Sequence, residues 1–162
     1  DLRSWRVAVL DSISSVQEIG IFAREVKKEF AGLDLLVVDY LSLVKTPEKK
    51  GSKNENRNQE VAQVTRDLRE LAKKLSIPVV LLSQLNRAAA ENGTPQLHHL
   101  RDSGEIEQNA DVVLALHRVS TVVGHSDHIK VCVLKQRNGP LSELDYTHQL
   151  GKFIFEERNE ID

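Results

Sequence analysis

The stretch Leu33-Asp34-Leu35-Leu36-Val37-Val38-Asp39-Tyr40 constrains this chain more than any other: a nearly unbroken apolar run that ends on an acid. Such a run, rich in β-branched residues, suits a strand buried on both faces of a parallel sheet. The acid then falls at the C-terminal end of the strand, the edge where open α/β sheets hold their ligands. Taken without its surroundings, Asp39 reads equally as the first residue of a turn.

The chain has 162 residues, enough for one domain with a real core. Its net charge of −2 shows no overall basicity, so any contact with nucleic acid has to come from a local patch. The one cysteine, Cys132, lies in the apolar run 129–134. That placement predicts a buried strand residue, excludes a disulfide framework and suits a reducing cytosol. No segment approaches the length of a membrane span, and no signal peptide is visible. Methionine is absent, and the abrupt start at Asp1 reads as a piece of a longer chain.

Residues 6–11 read as a short strand, with Ser12, Ser14 and Ser15 as candidate helix caps. Val16, Ile19, Ala23, Val26 and Phe30 recur at steps of three and four, which predicts a helix packed on a sheet and closed by Gly32. Residues 45–58 are polar and rich in breakers, and predict a loop. Val61, Val64, Leu68, Leu71 and Leu75 mark a second helix with alternating charge on its exposed face. A strand over 77–82 ends in Ser83-Gln84, and Pro78 near its start is tolerated there. After a polar connection over 86–100, Asp102 and Ser103 offer a helix cap with Glu105 as its box partner. Strands follow at 112–116 and 129–134, and 144–147 with 153–155 read as a closing antiparallel pair. Strand, helix, strand, helix, strand predicts an α/β fold: a mostly parallel sheet flanked by helices, with a C-terminal antiparallel extension.

Four clusters carry candidate chemistry. Asp39 is placed to order Mg²⁺ between nucleotide phosphates, directly or through water. Gln84 can hydrogen-bond a γ-phosphate oxygen and a loop at once, and so report whether that phosphate is present. Lys135 and Arg137 sit two apart at a strand end, which points both to one face and makes an anion site. Asn138-Gly139 supplies a turn after them that tolerates positive φ. The fourth cluster is a pair of polar loops. Residues 46–58 carry Lys49, Lys50, Lys53 and Arg57 against Glu48 and Glu55, and residues 98–104 carry His98, His99, Arg101 and Gly104. Neither holds an aromatic for base stacking, so contact with a nucleic-acid backbone fits them better. Each cluster has a plain structural reading beside the functional one: strand termination for Gln84, a solvated hairpin rim for the cations, solvated surface for the loops. The adjacent histidines are a weak metal signal.

The segments LDLLVVDYLSLV (33–44), 56–75, PVVLLSQLNR (78–87), LRDSGEIEQNAD (100–111) and KQRNGP (135–140) resemble, in order, the motifs of the RecA-like motor domain of DnaB-type replicative DNA helicases. The resemblance runs from about residue 10 to the C-terminus and makes residues 1–162 a partial RecA-like ATPase domain. It implies ATP and Mg²⁺ as cofactors, with Asp39 as the acid of the Mg²⁺-ordering strand and Gln84 as the γ-phosphate sensor. It further implies that Lys135 and Arg137 reach the neighbouring subunit's ATP, Arg137 as the arginine finger. The loop at Arg101, Asp102 and Gly104, and the other with Lys53 and Arg57, would hold single-stranded DNA in a channel. Asp102 stands where the family often carries a longer Glu. The implied parent is a cytoplasmic homo-hexamer translocating 5′ to 3′ on one strand, with primase and a helicase loader as candidate partners and no membrane.

No Gly-x-x-x-x-Gly-Lys-Ser/Thr phosphate loop occurs in the sequence. The family places that loop and the catalytic glutamate upstream of Asp1, so these residues by themselves are expected to be inactive as an ATPase. Two other readings stand beside the helicase motor. One is another RecA-like ring ATPase, which the Ser83-to-Arg87 and Lys135/Arg137 pairing disfavours. The other is a non-catalytic module that binds DNA or joins a ring.

Overall fold

In a computed structural model of the chain, the described residues are 4–12, 15–44, 53–86, 94–100, 103–122, 126–149 and 154–157. They form two compact units, Asp1–Gln84 and Leu85–Asp162.

In the first unit, helix α1 (Val16–Glu29) is capped by Ser15, whose hydroxyl accepts from the Glu18 amide while the Glu18 carboxylate accepts from the Ser15 amide. Strand β1 (Leu36–Val38), helix α2 (Lys53–Leu75) and strand β2 (Val79–Leu81) follow. Both helices follow the predicted spacing: Ile19, Ala23 and Val26 of α1 are buried, as are Val61, Val64, Leu68, Leu71 and Leu75 of α2. The two approach closely at Gly20, where a Cβ would meet Leu71 Cδ1 at 3.1 Å. Lys27 Nζ donates to the Leu75 carbonyl at 2.8 Å, satisfying an orphan acceptor at the end of α2.

Several expectations are corrected here. Residues 6–11 pair with no strand among the described residues, and Val7 and Val9 are 70% and 80% exposed. Alternation supplies a strand pattern, but only a ladder partner makes a strand. The segment instead sends Arg6 to the end of α1, its guanidinium 4.9 Å from the Phe30 ring centroid. The turn that closes α1 uses Ala31 at φ 57°, not Gly32, and α2 likewise ends on Ser76 at φ 55°. The predicted loop over 45–58 yields to helix from Lys53 onward; residues 45–52 lie outside the described residues.

β1 and β2 are parallel, with Leu36 opposite Val79 and Val38 opposite Leu81. The contact continues past the ladder, from the Leu82 amide to the Val38 carbonyl at 3.0 Å and from the Leu41 amide to the Leu82 carbonyl at 2.9 Å. The strand expected to be buried on both faces is buried on one. Val38 is 3% exposed, whereas Val37 is 53% and Val80 46% exposed. Within this unit helices cover a single face of a two-stranded sheet.

In the second unit Leu85 bridges Leu100, and the short helix α3 (Ser103–Asn109) starts where a cap was expected, with Asp102 itself outside the described residues. Four antiparallel strands follow in sequential order: β3 (Val112–Val122), β4 (Ser126–Gln136), β5 (Glu143–Gln149) and β6 (Ile154–Glu157). The antiparallel part is thus larger than expected and takes in both strands read at 112–116 and 129–134. Register shifts between Val113 and Leu114 and between Arg118 and Ser120 mark bulges in β3. Val113, Ala115, Cys132, Leu100 and Ile106 are buried. Cys132 is a free, buried strand residue as read from the sequence, and burial first, then the Glu143 charge, pushes its thiol above the ordinary range.

Candidate functional site

Parallel strands bring their C-terminal ends to the same edge, and β1 and β2 do this for the two residues singled out there. Asp39 directly follows the last residue of β1 and is exposed; its peptide bond to Tyr40 is cis. Gln84 lies two residues beyond Leu82, whose amide and carbonyl both bond to the chain on either side of Asp39, and it too is exposed. The unit therefore presents a carboxylate and an amide at one strand edge, where neither side chain has a hydrogen bond within the described residues.

One carboxylate suits Mg²⁺, which keeps several waters and takes one or two carboxylates plus substrate phosphates. Among the described residues no group of three or more His, Cys, Asp or Glu side chains forms a metal cage, and His98 and His99 make none. Those two rings stack edge to face at 4.2 Å, and buried His99 accepts from the Gln96 amide at 3.1 Å through Nδ1. That is a structural histidine.

In the second unit Lys135, at the end of β4, and Arg137, just past it, do point the same way. Lys135 Nζ donates to the Glu107 carbonyl, and Arg137 Nη2 donates to the Gln108 carbonyl at 2.9 Å. Both acceptors are last-turn carbonyls of α3, left without intrahelical donors by helix geometry. Arg137 also pairs with Asp111, Nε to Oδ1 at 3.3 Å, and its amide donates to the Asp111 carbonyl at 3.0 Å. Asp111 was not singled out from the sequence. The signal was the hairpin register: the bond between β3 and β4 that pairs Val113 with Lys135 brings the residue before β3 to the residue after β4. The turn at Asn138-Gly139 uses no left-handed backbone; at Gly139 a Cβ would meet the Gln136 side chain, the nearest atom at 2.1 Å.

Of the residues read as DNA contacts, Lys53 and Arg57 belong to the first turns of α2 rather than to a loop, and their side chains lie outside the described residues. Arg101 and Asp102 lie outside them as well. Gly104 is exposed in the first turn of α3, with open space where a Cβ would stand. A cavity of about 350 Å³ between α1 and α2, lined by Val16, Gly20, Ile21, Arg24 and Leu71 among others, contains none of the sequence-derived site residues.

Helices beside a parallel pair and an antiparallel extension agree with the RecA-like helicase ATPase fold of the solved structures that the chain matches. A solved DnaB-like replicative helicase, described with its interactions with primase, matches at a TM-score of 0.75 and 28% identity, over 88% of this chain and 35% of that one. A second solved structure, an ATPase domain, matches at 0.74 over 90% of this chain and 52% of its own. The chain belongs to the DnaB-like helicase C-terminal domain family, which matches residues 1–157. It is 37% identical over 150 residues to the replicative DNA helicase DnaB of Geobacillus stearothermophilus, covering 88% of this chain and 32% of that protein. With DnaB of Haemophilus influenzae the identity is 38% over 138 residues, 81% of this chain and 29% of that protein. The chain thus spans about a third of the length of the curated relatives it matches.

Proposed function

We propose that these residues form part of the ATP-driven motor of a hexameric replicative DNA helicase that unwinds duplex DNA in the cytoplasm by translocating on one strand. The observation that carries this reading is the shared strand edge of Asp39 and Gln84 in a chain of the DnaB-like family. Asp39 would hold Mg²⁺, directly or through water, and such an ion would supply positive charge to offset the nucleotide's phosphates. Gln84 senses the γ-phosphate. Lys135 and Arg137 act on the nucleotide of the adjacent subunit, where two fixed cations stabilise charge on the phosphoryl group being transferred. Lys53, Arg57, Arg101, Asp102 and Gly104 border the path of single-stranded DNA. Primase is a fitting partner, since a matched solved relative was described with one; a helicase loader is a second.

The test is DNA-stimulated ATP turnover by the full-length protein that carries this chain. Asp39→Asn should lower kcat about 100-fold or more, with assembly unchanged. Wild-type turnover by that variant would discard the assignment of Asp39.

A further inference from the structure

We propose that Asp111 is the positioning residue of Arg137, and that the C-terminal end of α3 fixes where that guanidinium stands. The inference rests on the reading of Arg137 as a cation that acts on a neighbouring subunit's nucleotide, and assigns what aims it.

An arginine on a hairpin rim has many rotamers, and a cation that must meet a phosphate in another subunit gains from having few. Here one edge of the guanidinium is committed: Nε faces the Asp111 carboxylate at 3.3 Å and Nη2 donates to the Gln108 carbonyl at 2.9 Å. Nη1 has no hydrogen-bond partner among the described residues, so its donors remain for an incoming anion. The backbone is tied at the same point by the bond from the Arg137 amide to the Asp111 carbonyl. Lys135 is held on the same helix end through the Glu107 carbonyl. A surface arginine that only covered its rim would not need a carboxylate just past a seven-residue helix, a carbonyl of that helix's last turn, and its neighbouring lysine held on the same turn.

That helix begins at Ser103, directly after Arg101 and Asp102. Both cations thus take their position from an element continuous with the proposed DNA-contacting residues. Helix α3 is the element through which DNA held at those residues would act on the carbonyls that hold Arg137 and Lys135. Asp111 therefore bears on how strongly DNA stimulates turnover, beyond its effect on the basal rate.

The experiment compares Arg137→Ala, Asp111→Asn and Asp111→Glu in the full-length protein. It measures kcat and KM for ATP with and without single-stranded DNA, and ring assembly by light scattering. Arg137→Ala should abolish turnover in every condition. Asp111→Asn should lower DNA-stimulated kcat about 10-fold with KM for ATP nearly unchanged, and should reduce the ratio of stimulated to basal turnover. Asp111→Glu, which keeps the charge, should recover most of that ratio. An inactive Arg137→Ala beside an Asp111→Asn that keeps wild-type kcat and stimulation overturns the positioning role and spares the reading of Arg137. Full activity in Arg137→Ala defeats that reading and this inference with it. Asp111 is 67% exposed, so the exchange leaves the core alone. Should melting nonetheless fall, the stimulation ratio per assembled ring still decides, and an unchanged ratio overturns the proposal.

Discussion

Among the described residues, the first unit leaves Asp39 and Gln84 without side-chain hydrogen bonds, whereas the second ties Lys135 and Arg137. Asp39 and Gln84 sit at the ends of a parallel pair, exposed and without side-chain hydrogen bonds in the described structure. Lys135 and Arg137 sit beside an antiparallel hairpin and are bound to three backbone or side-chain oxygens around the end of α3. Topology accounts for the contrast. A parallel sheet brings successive strand ends to one edge with nothing beyond them, whereas an antiparallel register places each strand end against the start of its neighbour. Groups that must surround a ligand fit the first arrangement, and groups that must be aimed from outside fit the second.

The sharpest way to break that comparison is to ask whether the two sets of residues serve one site from different subunits. Rings of Asp39→Asn subunits and rings of Arg137→Ala subunits should each lose about 100-fold or more in ATP turnover. Rings assembled from an equal mixture should regain activity, because random assembly pairs an intact Asp39 with a neighbour's intact Arg137 at about a quarter of the junctions. If the mixture stays as inactive as its components, the cations and the carboxylate work within one subunit, and the contrast between free and aimed groups loses its meaning.

The next effect is on stability. Ile19 is 2% exposed where α1 meets α2, so Ile19→Ala should destabilise the protein by about 3 kcal/mol in urea unfolding. Leu116 of β3 is 67% exposed, and Leu116→Ala should stay within about 0.5 kcal/mol in the same measurement. Equal losses from the two would mean that the open face of the antiparallel sheet is covered in the intact protein. Cys132, the one cysteine, reports on the second unit directly. Buried and with its thiol pushed up, it should react slowly with an alkylating reagent until unfolding exposes it.

What the sequence made legible follows from how local each signal is. The spacing of Val16, Ile19, Ala23 and Val26 located α1, because one face of a helix repeats within a single element. Asp39 and Gln84 were found as the polar ends of apolar runs, again a local pattern. The start of α2 was hidden among Asn54, Asn56 and Asn58, residues of weak helix propensity that nonetheless lie in the helix. Asp111 was missed because its partner, Arg137, lies far along the chain, and only the hairpin register brings the two together. Residues 6–11 misled in the opposite way: a strand pattern is local, but a ladder needs a second strand.

Smaller effects should come from the helix ends of the first unit. Ala31 and Ser76 both hold left-handed backbone without being glycine. Ala31→Gly and Ser76→Gly should each stabilise by about 0.5–1 kcal/mol, since a Cβ strains that conformation and glycine does not. A loss at either position would show that the side chain supplies packing that outweighs the strain. The second unit has no described non-glycine residue in that conformation, so the same substitutions have no counterpart there.

The smallest expected effects separate the two units by the pH at which each loses a surface ion pair. In α2, Lys73 donates to Glu70 at 2.8 Å, and that bond, followed by the lysine's charge, holds the Glu70 carboxyl below its usual range. A depressed acid contributes stability above its unfolded value and loses it as pH falls through the folded one. In the sheet, Lys130 donates to Glu143 at 2.8 Å, and that bond, then the Asp145 charge, raises the Lys130 ammonium above its ordinary range. A raised base contributes below its unfolded value and loses the contribution as pH rises through the folded one. Glu70→Gln should therefore lower the melting temperature by no more than about two degrees at neutral pH, a difference that vanishes in acid. Lys130→Gln should show a similarly small difference that persists at neutral pH and vanishes in strong alkali. Both differences should shrink in high salt, because the pairs are exposed and screened. A Lys130→Gln effect that survived high salt would point to packing of its aliphatic stem across the β4–β5 ladder, making the second unit's surface more structural than the first's.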